Sequence, residues 1–297
     1  TILASMGILV ILLGLVVMAW ATRRLIRTMI GVVMPGESDN LSDLIFSNLQ
    51  LSKGPKVVVI GGGTGLSVML RGLKAKTYNL TAVVTVADDG GSTGRIRQDL
   101  DIIAPGDLRN CLVALADKEG LMEKLFAHRF GGSGNLTGHS FGNLFIAALI
   151  EVLGDVEEAM DATSKVLRVR GKVIPSSAEK LRLNAEMTDG RIVEGESQIP
   201  HAHGKIKRVF TTPEHPRAIQ SAVDAIREAD AIVLGPGSLY TSIMPNLCVP
   251  DIVQAVRTSK APKIYICNVM TQPGETDDYT VSDHIRAINR QAGGKVI

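Results

Sequence analysis

Val57-Val58-Val59-Ile60-Gly61-Gly62-Gly63-Thr64-Gly65-Leu66 is an apolar run that breaks into glycines and restarts at helical spacing. Four β-branched residues in succession predict a strand buried on both faces, and Leu66, Met69, Leu70 and Leu73 predict the helix after it. Glycines let the backbone approach a ligand and turn N–H groups toward an anion, and the helix start adds the positive end of its dipole. The stretch therefore reads as a nucleotide or phosphate loop; a tight strand-to-helix turn without a ligand reads from the same residues. Gly61 and Gly63 fit the first half of G-x-G-x-x-G, but Leu66 stands where the third glycine belongs, and no Lys-Ser/Thr pair follows. That break weakens a nicotinamide-dinucleotide oxidoreductase reading.

The same plan recurs along the chain. A strand over Leu80–Val86 runs into Asp88-Asp89-Gly90-Gly91, where an open parallel sheet collects ligands. These carboxylates are candidates to hold Mg2+ or to act in catalysis if the chain is an enzyme; Asp-Gly pairs also simply turn a chain. Asp107 is the natural N-cap of a helix through Leu115, with Arg109 and Asn110 as candidates to face a ligand. His139 and Asn143 lie in a second glycine turn before an apolar helix, Leu144–Leu153. Beyond a strand at Ala231–Leu234, the turn Gly235-Pro236-Gly237-Ser238 continues into Thr241 and Ser242, short donors suited to phosphate oxygens. A last strand, Lys263–Cys267, runs into a loop opening at Asn268. With Gly62, Gly63, Thr64 and Gly65, these residues form the candidate ligand set.

Net charge is +2 and aromatic residues make up 4%, which leaves neither an electrostatic footprint nor a stacking surface for nucleic acid. Cys111, Cys248 and Cys267 fit no zinc or disulfide framework and read as thiols in a reducing compartment. Residues Ile2–Trp20 carry no charge, and Arg23, Arg24 and Arg27 follow. This predicts a membrane-spanning helix over 1–27 with the remainder cytoplasmic; a signal peptide cut near Ala19-Trp20-Ala21 is the competing reading. The chain opens at Thr1 without methionine, so an earlier start is expected. Residues 28–54 read as a linker with a short helix capped by Ser38 or Asp39 and faced by Leu41, Leu44, Ile45 and Leu49. An α/β domain is then expected over 55–297. It carries an antiparallel hairpin insertion at about 172–212 around Thr188-Asp189-Gly190, with His201 and His203 in a solvated loop.

Six blocks in order, IGGGTGLS from Ile60, VADDGGS from Val86, PGDLRN from Pro105, GHSFGNL from Gly138, LGPGSLYTS from Leu234 and NVMTQPGET from Asn268, resemble the bacterial gluconeogenesis factor family. That family is related to 2-phospho-L-lactate transferase of deazaflavin cofactor biosynthesis. The resemblance covers nearly everything from Gly54 and implies a Rossmann-like, three-layer fold with a mainly parallel sheet. It also implies a shared phosphate site drawing on Gly63, Thr64, Gly65, Asn143 and Gly235–Ser242. From it follow a UDP-sugar-binding regulator of cell shape and gluconeogenic growth, a homodimer, and partners among envelope or amino-sugar enzymes. The second reading is a transferase of a phosphorylated group. The chain stops at Ile297, short of the C-terminal region the family usually carries.

Overall fold

The computed structural model describes residues 2–33, 48–117 and 120–297. The expected linker helix, with its caps Ser38 and Asp39, lies outside the described residues apart from Leu49. The chain divides into two compact units, Thr1–Gln50 and Leu51–Ile297. In the first, α1 (Ile2–Val33) is one continuous helix, longer than the span read from the sequence.

In the second unit, the described strands are β1 (Val57–Gly61), β2 (Leu80–Val84), β3 (Lys172–Pro175), β4 (Arg182–Met187), β5 (Ile192–Glu194), β6 (Ile206–Thr212), β7 (Ala231–Leu234) and β8 (Lys263–Tyr265). Five of them form a parallel sheet in the order β3-β2-β1-β7-β8. β1 sits at its centre, with Val57 in register with Leu80 on one side and Ala231 on the other. Both faces of β1 are covered, which is why Val58, Val59 and Ile60 need not alternate with polar residues: each is 2% exposed or less. The order reverses between β1 and β7, and it is at the carboxyl edge of such a switch point that open parallel sheets have their ligand crevice.

Helix α2 (Gly63–Leu73) joins β1 to β2. The crossover to β3 carries α3 (Gly91–Leu100), α4 (Gly106–Leu115), α5 (Gly120–Ala127), α6 (Phe141–Leu153) and α7 (Val156–Val166). α4 is buried on almost every side, as its Leu108, Cys111, Leu112 and Leu115 predict. Helix α8 (Gln220–Arg227) precedes β7, α9 (Pro250–Thr258) joins β7 to β8, and α10 (Val281–Gln291) follows.

The α/β architecture is the one expected, with shifts of boundary, α6 for instance beginning at Phe141 rather than Leu144. β2 ends at Val84 and β8 at Tyr265, each two residues earlier than read, because the chain leaves the ladder to reach the rim. Residues 172–175 belong to the main sheet, so the antiparallel excursion is the separate sheet β5-β4-β6 over 182–212. Its hairpin closes at Thr188-Asp189-Gly190, where Gly190 has φ +89° and Asp189 accepts from the Arg191 N–H.

Candidate functional site

Because the five strands are parallel, their carboxyl ends share one edge, and close approaches lock the loops there together. A Cβ placed on Gly62 would lie 2.6 Å from Asp107 Oδ2 and 2.6 Å from Thr85 Cγ2. One on Gly65 would lie 3.1 Å from the Pro236 carbonyl oxygen, and one on Gly237 3.3 Å from that of Gly62. Gly63 has φ +70°, a conformation that costs a residue with a side chain. The first and third glycine turns are thus in direct contact, and Asn246 Nδ2 ties them by donating to the carbonyls of Gly61 (3.2 Å) and Ser242 (3.0 Å).

Four helices start on this edge without a side-chain cap: Gly62, Gly90, Pro105 and Ser140 precede α2, α3, α4 and α6. Ser140 could have capped α6, but its hydroxyl accepts from Arg109 Nη1 at 2.6 Å and donates to the Phe126 carbonyl. Asp107 is not the N-cap expected of it. Pro105 holds that position, and Asp107, in the first turn, accepts from the Gly63 N–H, with Asn110 beside it. Burial, and then the neighbouring Asp88, pushes the Asp107 pKa up to about 6.

The adjacent carboxylates part company. Asp88 stays at the crevice, with Oδ1 accepting from the Gly90 N–H at 2.9 Å; burial raises its pKa. Asp89 turns away: its Oδ1 accepts from the Ser197 N–H at 2.9 Å, and a Cβ on Gly195 would lie 2.5 Å from its Oδ2. The carboxylate whose pKa responds to the charge of Asp88 is Asp107. His139 Nδ1 lies 3.3 Å from Ser92 Oγ, which also accepts from Asn143 Nδ2 at 3.3 Å. Burial, followed by the charge of Arg95, lowers the His139 pKa, so the imidazole is neutral at pH 7. Asn143 is 2% exposed, and its Oδ1 has no hydrogen-bond partner.

On the β7 side, Ser242 lies against Gly63. Thr241 and Ser238 have protein partners: Thr241 Oγ1 donates to Glu275 at 3.2 Å and Ser238 Oγ to Gln272 at 2.8 Å. Asn268 is half-exposed on the loop after β8, and no hydrogen bond described ties it to the other candidates. Three residues that the sequence reading missed belong to this edge: Ser92, Glu275 and Glu196. Glu275 is 4% exposed and accepts from the Tyr240 N–H. Glu196 begins a short 3₁₀ helix (Glu196–His201) beyond β5, and its buried Oε2 has no partner. Burial first, then the charges of Asp88 and Asp107, drives its pKa well above the usual range. His201 and His203 stand apart, in a surface cavity of about 440 Å³ with Asp277.

The profile of the family described as 2-phospho-L-lactate transferase CofD matches residues 57–297. Gluconeogenesis factors of Bacillus subtilis (strain 168) and Halalkalibacterium halodurans are 57% identical over 239 residues and 56% over 245. These matches cover 80% and 82% of this chain and 75% and 76% of those proteins. The chain belongs to the gluconeogenesis factors of the CofD family. A Nostoc relative is 55% identical over 287 residues, and those residues make up 97% of this chain but only 63% of the relative. The crystal structure of a Bacillus halodurans protein matches this gluconeogenesis factor homologue with a TM-score of 0.79 at 57% identity, over 81% of this chain and 78% of that one.

Proposed function

We propose that this chain binds a UDP-sugar, UDP-N-acetylglucosamine or UDP-glucose, at the rim where the first and third glycine turns meet, and acts as a regulator rather than a turnover catalyst. The observation that carries the reading is that four helices start without a side-chain cap at the edge where the first and third glycine turns meet. Apart from the N–H groups of Gly63, taken by Asp107, and Phe141, taken by the His128 carbonyl, their first-turn N–H groups have no side-chain cap, and a diphosphate supplies oxygens for such donors. Asn143, with its free Oδ1, accepts a ligand hydroxyl or N–H beside them. The relatives carry the name gluconeogenesis factor, and in this reading the bound form of the chain supports growth on gluconeogenic carbon and cell shape. It does so by favouring one surface for envelope or amino-sugar enzymes, as a homodimer held at the membrane by α1. Regulation requires that the ligand bind one conformation better than another.

The carboxylates need a counter-charge before a diphosphate can enter. Mg2+ suits the donor set: Asp88 and Asp107 offer hard oxygens, and Glu196 Oε2 is unpartnered. Among the described residues no three side chains converge as a complete cage, and Mg2+ typically takes one or two carboxylates with phosphate oxygens and water. The same pair favours a second reading, a transferase of a phosphorylated group like the phospholactate enzyme, with the bound ion supplying charge neutralisation at the phosphoryl group.

Thermal unfolding with UDP-N-acetylglucosamine and Mg2+ decides between them. At a hundredfold excess over Kd the folded state gains about 2.7 kcal/mol. Asp88→Asn with Asp107→Asn removes the dependence on Mg2+ but leaves sugar-nucleotide binding measurable. Turnover of phospholactate with a guanine nucleotide, without stabilisation by any UDP-sugar, overturns the regulator reading.

A further inference from the structure

Outside the rim, one cleft joins a built apolar floor to unbalanced charge. It has a volume of about 310 Å³, lies between β6 and α10, and is walled by Tyr240. Val209, Met244 and Ala287 are nearly inaccessible and make its floor. Tyr240 is 2% exposed and backs this floor as a neutral side chain, since burial and the Tyr279 hydroxyl, 2.7 Å away, raise its pKa.

The rim of this cleft is cationic for a reason of strand geometry. Successive residues of a strand face opposite ways, so Lys207 and Arg208 should not share a side. The register between β4 and β6 slips at Glu186/Met187: Glu186 pairs with Arg208 and Met187 with Ile206, leaving Lys207 as the extra residue of a bulge. Both cations then reach Glu186, Lys207 to Oε1 and Arg208 to Oε2, each at 2.6 Å. Arg290 enters from α10 and has no ion pair among the described residues. Three cations thus line the cleft and Glu186 pairs with two of them, which leaves an excess of positive charge beside the floor.

We infer that this cleft is a second ligand site, for a small anionic metabolite, a phosphate monoester or carboxylate carried on an apolar or aromatic body. The apolar part lies over Ala287 and the alkyl stems of Lys207 and Arg290, and the anion meets the charged ends of those two side chains, which keeps its charge in partial contact with water. The size falls at the lower end of small-molecule sites, which excludes a whole sugar nucleotide. Tyr240 belongs to the turn that follows Gly235–Gly237, so the third glycine loop backs the floor under an occupant.

The test is calorimetric titration of the full chain with phenyl phosphate, and with inorganic phosphate for comparison. Phenyl phosphate should saturate one site below about 10 mM, with inorganic phosphate weaker by about tenfold or more for want of a body. Arg290→Gln with Lys207→Gln, both at exposed positions, should weaken phenyl phosphate by about tenfold or more. Ala287→Leu, which fills the floor, should do the same while leaving both cations in place. The inference is overturned by phenyl phosphate binding that neither variant changes, by inorganic phosphate binding equally well, or by no saturable binding.

Discussion

Asp107 shows how a side chain that is natural as a helix cap becomes something else when its surroundings are closed. Its pKa is pushed to about 6, against roughly 4 in an unfolded chain. Between those values the folded state holds more protons than the unfolded one, so stability falls as pH rises through that window. Two units correspond to at most about 3 kcal/mol. Urea unfolding from pH 4 to pH 7 should show this decline, and Asp107→Asn should flatten it; a slope unchanged in the variant contradicts the assignment. Glu196 is shifted the same way, so a remnant of the slope persists, and Mg2+ should flatten it further by favouring the ionised forms. At this scale the sequence made the glycines and Asp88 legible, since both lie where a strand ends. Glu196 and Glu275 were not legible. Their neighbours at the rim are remote in sequence, as with Thr241 and Glu275, 34 residues apart, and only the sheet order brings them together.

Among the elements, the 3₁₀ segment Glu196–His201 is held from both sides of the crevice. Asp89 binds it through the Ser197 N–H, and Gly274 packs directly on Pro200. Ile199 anchors the segment in the core at 0% exposure, so removing the Asp89 acceptor loosens its first residues most. Asp89→Ala should therefore raise amide hydrogen exchange across residues 195–201 while β1 and β2 keep their protection; unchanged exchange there would falsify the strap role. The hairpin before this segment was legible from Thr188-Asp189-Gly190, because a turn advertises itself locally. α7 and α10 carried start signals too, the Asp155 cap and the Thr280–Asp283 capping box, which the sequence reading passed over. α3 had no such mark. The missing cap that hides α3 from a sequence reader is also what leaves its N–H groups for a ligand, so legibility is lost where the proposed site is built.

For the whole molecule, the question is what α1 does for the domain that follows. Ser5–Ile26 is long and apolar enough to cross a bilayer, and its side chains are exposed throughout. The two hydroxyls in its second half are satisfied within the helix: Thr22 donates to the Met18 carbonyl at 2.8 Å and Thr28 to that of Arg24 at 2.9 Å. Internal pairing of this kind is what a hydrocarbon environment demands. Arg24 stacks over the Trp20 ring at 5.2 Å, placing an aromatic and a cation together where a span would leave the apolar layer. If α1 spans a membrane, the arginines that follow it put Leu51–Ile297 on the cytoplasmic side by the positive-inside rule. If α1 is an anchor, the intact chain should remain with membranes through an alkaline carbonate wash, and a chain lacking residues 2–33 should move to the soluble fraction. Stabilisation by UDP-N-acetylglucosamine should be equal in the two, since Leu51–Ile297 is a compact unit of its own. A mature chain whose N-terminus, read by mass spectrometry, falls just after Ala21 would instead make the apolar stretch a cleaved leader, and would place the glycine rim outside the compartment that holds its proposed ligand.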